Sequence, residues 1–127
     1  MDAAVALDPD SVSVRIPRGA TLLAGSRYAP ADFRRPLLEK GVSDYERTLE
    51  LQSKVFETLG THERGELLFG IAEGWSRLGN EEKAKTYFER IRTELKGTAY
   101  AKRAETWLET KSLPASETQC VGCHVAN

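Results

Sequence analysis

From Ser43 to Leu113 the apolar residues recur at intervals of three and four, and the run is broken every twelve to sixteen residues or so by Gly, Asn or Thr. That pattern predicts successive amphipathic helices joined by turns of two or three residues. Ser43-Asp44-Tyr45-Glu46 reads as a capping box, followed by Tyr45, Leu49, Phe56 and Leu59 on one face and Gly60 as the stop. A second helix is expected after Thr61, carrying Leu67, Leu68, Ile71, Ala72, Trp75 and Leu78 and ending at Gly79. Asn80 then caps a third, with Ala84, Tyr87, Phe88, Ile91 and Leu95 as its stripe. After Gly97, Thr98 starts a fourth with Ala101, Ala104, Trp107 and Leu108 facing inward, and Pro114 breaks the pattern. Helices of this length on such short turns fold back on one another, so the expected class is all-α, with antiparallel helix pairs stacked together. Residues 1–31 read differently. They hold Pro9, Pro17 and Pro30 with Gly19 and Gly25, and the alternation Val12, Val14, Ile16 suggests an extended arm or short strand.

Within the helical part, Leu68, Ile71, Ala72 and Trp75, the Gly79-Asn80 turn, and Ala84, Phe88 and Ile91 together resemble one tetratricopeptide repeat, a two-helix unit of about 34 residues. The small residues Ala72 and Ala84 stand where the two helices of such a unit approach closely, while Gly97 replaces the proline usual at the repeat end. The resemblance implies stacked helix pairs and a concave groove for a protein or peptide, but no catalytic activity. The expected organisation is therefore an extended arm over 1–31, a TPR-like helical domain over 32–112, and a C-terminal tail over 113–127.

Composition changes this picture little. Among 127 residues, 40% are apolar and 29% charged, and the formal net charge is -1, so no global basic field favours nucleic acid or an anionic membrane. No apolar run approaches the roughly 18 residues of a membrane span. Charge is uneven locally: Arg15, Arg18, Arg27, Arg34, Arg35 and Lys40 outnumber Asp32 and Glu39, a stretch that could face an acidic partner or haem propionates, against the plainer reading of a solvated basic arm.

The tail changes the picture most. Both cysteines of the chain fall in Cys120-Val121-Gly122-Cys123-His124, the spacing of a c-type haem attachment site. Two thiols at this spacing can form thioethers with both haem vinyl groups, and the adjoining imidazole can bind the iron. The segment resembles that of c-type cytochromes, which implies covalent haem c on Cys120 and Cys123, His124 as proximal ligand, and electron exchange with a redox partner. Only three residues follow His124, so the tail cannot bury a haem by itself. The helical body, or oligomerisation, is expected to shield the group.

Cytochromes of the four-helix-bundle type also carry the motif near the C-terminus, but Pro114 interrupts the helix that would hold it and the first 30 residues stand where the first helix would be. For the sixth iron position His62 is the candidate distal ligand, against the plainer reading of a solvated imidazole in a first helical turn. Trp75, Tyr100 and Trp107 would line a haem pocket or, more simply, the core.

Two other chemistries use the same tail: a zinc site of Cys120, Cys123 and His124, which lacks a second cysteine pair, and a redox dithiol, which lacks a thioredoxin-like context. In those readings the chain is a TPR-like protein-protein interaction module. No Ser-His-acid set, glycine-rich phosphate loop or H-E-x-x-H pattern is present, so side-chain catalysis is not expected. Met1-Asp2-Ala3-Ala4 has neither the basic nor the apolar region of a secretory signal. Because c-type haem is attached outside the bacterial cytoplasm, the expectation is a periplasmic or otherwise exported chain whose signal has been removed.

Overall fold

The computed structural model describes residues 1–113. Among them are α1 (Asp2–Leu7), α2 (Val12–Gly25), α3 (Ala31–Leu51), a 3-10 turn (Phe56–Thr58), α4 (Thr61–Arg77), α5 (Glu81–Glu94) and α6 (Ala99–Thr110), with no strand. Helices adjacent in sequence from α2 onward pack on one another, and α2 with α4 and α4 with α6 also touch. The result is an all-α stack of helix pairs, as the periodicity and short turns require.

The second half follows its sequence punctuation closely. The Asn80 side chain accepts the Lys83 N–H at 3.1 Å and the Thr98 hydroxyl accepts the Ala101 N–H at 3.2 Å, each satisfying a donor that a helix start leaves without an intrahelical partner. Gly79 and Gly97 take φ of +84° and +85°, the left-handed geometry that ends α4 and α5 at little steric cost. Phe88 stacks on Trp107 at 4.6 Å and meets Phe69 edge-on at 5.8 Å, so the aromatic stripes of α4, α5 and α6 converge in one core.

The first half departs from the expected arm. Residues 12–25 form α2 despite Pro17, and α3 begins at Ala31, runs through Pro36, and carries Ser43 exposed in its middle. The Ser43 capping box is therefore not used as one, and the helix expected to reach Leu59 stops at Leu51 before the 3-10 turn. The physical reason is tertiary. Ile16, Ala20 and Leu23 lie at helical spacing, and Ala20 and Leu23 are buried in the shared core with Leu38 and Val42 of α3. An interior proline costs a helix about 3 kcal/mol, and packing of a whole face offsets that.

Glycines let this packing be close. A Cβ at Gly19 would lie 2.6 Å from Cδ1 of Tyr45, and one at Gly70 would collide with the other edge of the same ring. Tyr45 on α3 thus fills a slot left by glycines of α2 and α4.

The basic stretch is also not a solvated arm. Arg18 donates to Asp44 through two nitrogens, at 2.7 and 2.6 Å, and Arg15 donates to the same carboxylate at 2.8 Å. The Asp44 side chain is fully buried. Arg27 pairs with Glu73 of α4, and Lys40 with Asp2. Burial of Asp44 inside the α2–α3 interface draws the arginines inward, leaving Arg34 and Arg35 exposed.

Candidate functional site

His62 occupies the first turn of α4, as expected, and is exposed. Its position is set by Gly60, which caps the helix with an extended backbone. One turn onward Gly65 lacks the side chain that would strike Tyr100, so the first turns of α4 and α6 approach closely. Consequently the Tyr100 hydroxyl comes within 3.3 Å of Nδ1 of His62. Below this pair, Tyr100 leans on Phe69 at 6.5 Å, and the Arg103 guanidinium lies 5.0 Å from both rings.

Beside His62 is a cavity of about 110 Å³ lined by Ile16 of α2, Tyr45 and Gln52, Leu59, and Glu63, Glu66 and Leu67 of α4. Most of its wall is hydrocarbon. Glu66 is 5% exposed, and burial, aided by the Glu66 carboxylate, pushes the Tyr45 phenol well above its ordinary value. Tyr45 is therefore a neutral hydroxyl at the cavity at any physiological pH. The arrangement offers an imidazole whose ring is oriented by a phenol, over a small pocket that is apolar except for its carboxylates.

Of the residues singled out in the sequence, His62 and Tyr100 come together, although the direct hydroxyl-to-imidazole contact was not anticipated. Spacing of three, four and seven places His62, Gly65, Glu66 and Phe69 on one face of α4, but nothing local in it points to Tyr100 of α6. Trp107 is core, 1% exposed with its indole N–H on the Ser76 hydroxyl at 2.9 Å. Trp75 is half-buried, donating to Glu46 at 3.2 Å beneath the Lys83 ammonium. Neither faces the His62 cavity. Cys120, Cys123 and His124 lie outside the described residues. Among the described residues no group of three or more His, Cys, Asp or Glu side chains is placed to hold a metal ion, and no helix is long and apolar enough to cross a membrane.

The donor chemistry around His62 fits an iron ligand better than the cavity fits a haem. Ligating histidines are typically held by a hydrogen bond to their second nitrogen, and a Tyr100 hydroxyl at Nδ1 would direct metal binding to Nε2. The cavity, by contrast, is well short of the roughly 300 Å³ or more of a small-molecule pocket. It would take an edge of a macrocycle and leave most of it outside.

No family model, no curated protein and no solved structure matches this chain.

Proposed function

We propose that this protein is a c-type haem protein that transfers electrons, with haem c attached through Cys120 and Cys123 and its iron bound by His124. The observation that carries the reading is the sequence Cys120-Val121-Gly122-Cys123-His124, which uses both cysteines of the chain. When bound, the haem supplies reversible one-electron exchange at its iron. The protein's own residues have three tasks: the two thiols fix the group, His124 presents an imidazole to it, and the helical stack provides a surface against which it rests.

Support for His62 as a second residue that would hold the iron comes from its exposure, its position beside the Tyr100 hydroxyl and the reach of the tail. His124 follows Leu113 by eleven residues, which span up to about 36 Å when extended. The 12-residue α6 is only about 18 Å long, so the tail is long enough to return from its end to the His62–Tyr100 edge. A group resting there would stay largely exposed, which suits contact with a redox partner protein. The proposal also entails export, because the covalent attachment takes place outside the bacterial cytoplasm.

Expression with a periplasmic haem-maturation system tests the reading. The expected product has an intact mass raised by one haem, a Soret band, and haem retained after acid and organic extraction. Cys123→Ala should leave at most one thioether, and His62→Ala should convert a six-coordinate low-spin ferric spectrum to high spin. An unmodified mass with two freely titratable thiols would overturn the haem assignment and leave the chain as an interaction module built on its helical stack.

A further inference from the structure

At the opposite end of α4 lies a larger and chemically different cleft of about 320 Å³, lined by Ala31, Arg34, Arg35, Leu38, Arg77 and Leu78. It lies between the first two turns of α3 and the last turn of α4, where the chain leaving α2 turns back. Three guanidinium groups line it, and their counter-charge is sparse. Arg35 pairs with Glu39 one turn on, with both side chains more than half exposed. Arg34 donates Nε–H to the Ala29 carbonyl at 2.8 Å, a neutral acceptor. Arg77 donates to the Ser26 hydroxyl at 2.8 Å and to the Leu23 carbonyl at 3.4 Å, again neutral. Among the described residues neither Arg34 nor Arg77 has a carboxylate within ion-pair distance. The one buried carboxylate nearby, Glu73, is engaged by Arg27.

Half-burying a guanidinium without a counter-ion is costly, and arginine is the side chain best shaped to grip a planar or tetrahedral oxyanion. The local charge imbalance is also felt within the protein: burial and the charge of Arg34 hold Arg77 below its ordinary value, and burial with Arg77's own charge does the same to Arg27. The remaining walls, Ala31, Leu38 and Leu78, are hydrocarbon. Such a cleft, lined by three arginines and three apolar residues, matches a ligand with the complementary polarity.

We propose that this cleft is a binding site for a small organic oxyanion, a phosphate or carboxylate borne on an apolar group. Arg77 and Arg34 grip the anionic head, Arg35 adds a third donor, and Leu38 and Leu78 contact the apolar part. The site is separate from the His62 edge, and its operation does not depend on haem.

The test is titration of the full chain at constant ionic strength with inorganic phosphate, phenyl phosphate and benzoate, followed through the arginine Nε–H resonances. Saturable shifts centred on Arg34 and Arg77 are expected, with phenyl phosphate binding at least ~3-fold more tightly than inorganic phosphate because of the added apolar contact. Comparable binding of phenyl phosphate and benzoate identifies a general oxyanion site, and preference for one identifies its class. Arg77→Gln and Arg34→Gln should each weaken binding about 10-fold, in line with loss of a charge-assisted contact, whereas Lys54→Gln on the far surface should change nothing. Arg34 is exposed, so its variant folds irrespective of the outcome for Arg77. Non-saturable shifts with all three anions, or equal affinity in Arg34→Gln and the parent chain, would overturn the proposal.

Discussion

The pair α2–α3 and the block α4–α6 reach the same helical architecture by different physical means. In α4–α6 each turn is specified locally: a left-handed glycine closes one helix and a side-chain cap opens the next, over a core of Phe69, Phe88 and Trp107. In α2–α3 neither helix start has a side-chain cap, each helix contains a proline, and the two are joined around a buried carboxylate and a tyrosine seated between glycines. Local punctuation dominates one region and long-range contact the other. The first kind of specification tolerates loss of any one part, whereas the second concentrates stability in a few residues far apart in sequence.

The sharpest way to break that contrast is at Asp44. Replacing Asp44 with Ala would leave Arg18 inside the α2–α3 interface with only the exposed Asp2 carboxylate, 3.1 Å away, as counter-charge, and would leave Arg15 without its buried partner; breaking such a buried pair costs about 3–5 kcal/mol. Urea unfolding should show a large fall in midpoint. An Asp44→Leu, Arg18→Met, Arg15→Met triple variant should recover most of the loss, because removing every charge of the cluster removes the desolvation cost as well. If Asp44→Ala unfolds within about 0.5 kcal/mol of the parent, the range for ordinary surface changes, then the ion pair does not hold the first pair together.

The same difference explains what could be read from the chain and what could not. Boundaries at Thr61, Asn80 and Thr98 were legible because Gly, Asn and Thr act through the backbone within four residues, and those effects survive in any tertiary setting. The helix at Val12–Gly25 was missed because Pro17 and the alternation Val12, Val14, Ile16 point locally to extended chain. What overrides them is contact with α3, twenty or more residues away. Ile16, Ala20 and Leu23 did carry a helical stripe, but the nearby prolines and glycines outweighed it. The Ser43-Asp44-Tyr45-Glu46 spacing points locally to a capping box, although the partners of Asp44, Arg15 and Arg18, lie 29 and 26 positions earlier. At the candidate site, spacing placed His62 in a helical first turn, but the Tyr100 hydroxyl beside it depends on Gly65 admitting α6, which no local pattern encodes.

A second, smaller effect is expected where Tyr45 meets glycine. In Gly19→Ala the new methyl must displace a ring carbon 2.6 Å away, and overpacking of this kind costs roughly 1–3 kcal/mol. That cost opposes the helix propensity gained by replacing glycine with alanine, about 1 kcal/mol. Thermal unfolding should therefore show net destabilisation at Gly19 but stabilisation at Gly25, which is helical and has open space where a Cβ would stand. Combining Gly19→Ala with Tyr45→Leu should give a coupling energy well away from zero, since the two side chains compete for one slot. Additive behaviour would mean that the α2–α3 approach is looser than the contact implies.

The smallest effects belong to the caps. Asn80→Ala and Thr98→Ala should each cost about 1 kcal/mol, through loss of the acceptors for the Lys83 and Ala101 N–H groups. Because Asn80 and Thr98 are separated by the full length of α5, their double variant should lose close to the sum. Replacing Ser43 with Ala supplies the internal control. It has the sequence signature of a cap but stands mid-helix and exposed, where alanine is the better helix former, so its removal should leave stability unchanged or slightly raised. A loss of about 1 kcal/mol at Ser43 would mean that a helix does start there, and the division between locally punctuated and long-range-packed halves would fail at the residue where the two readings differ most.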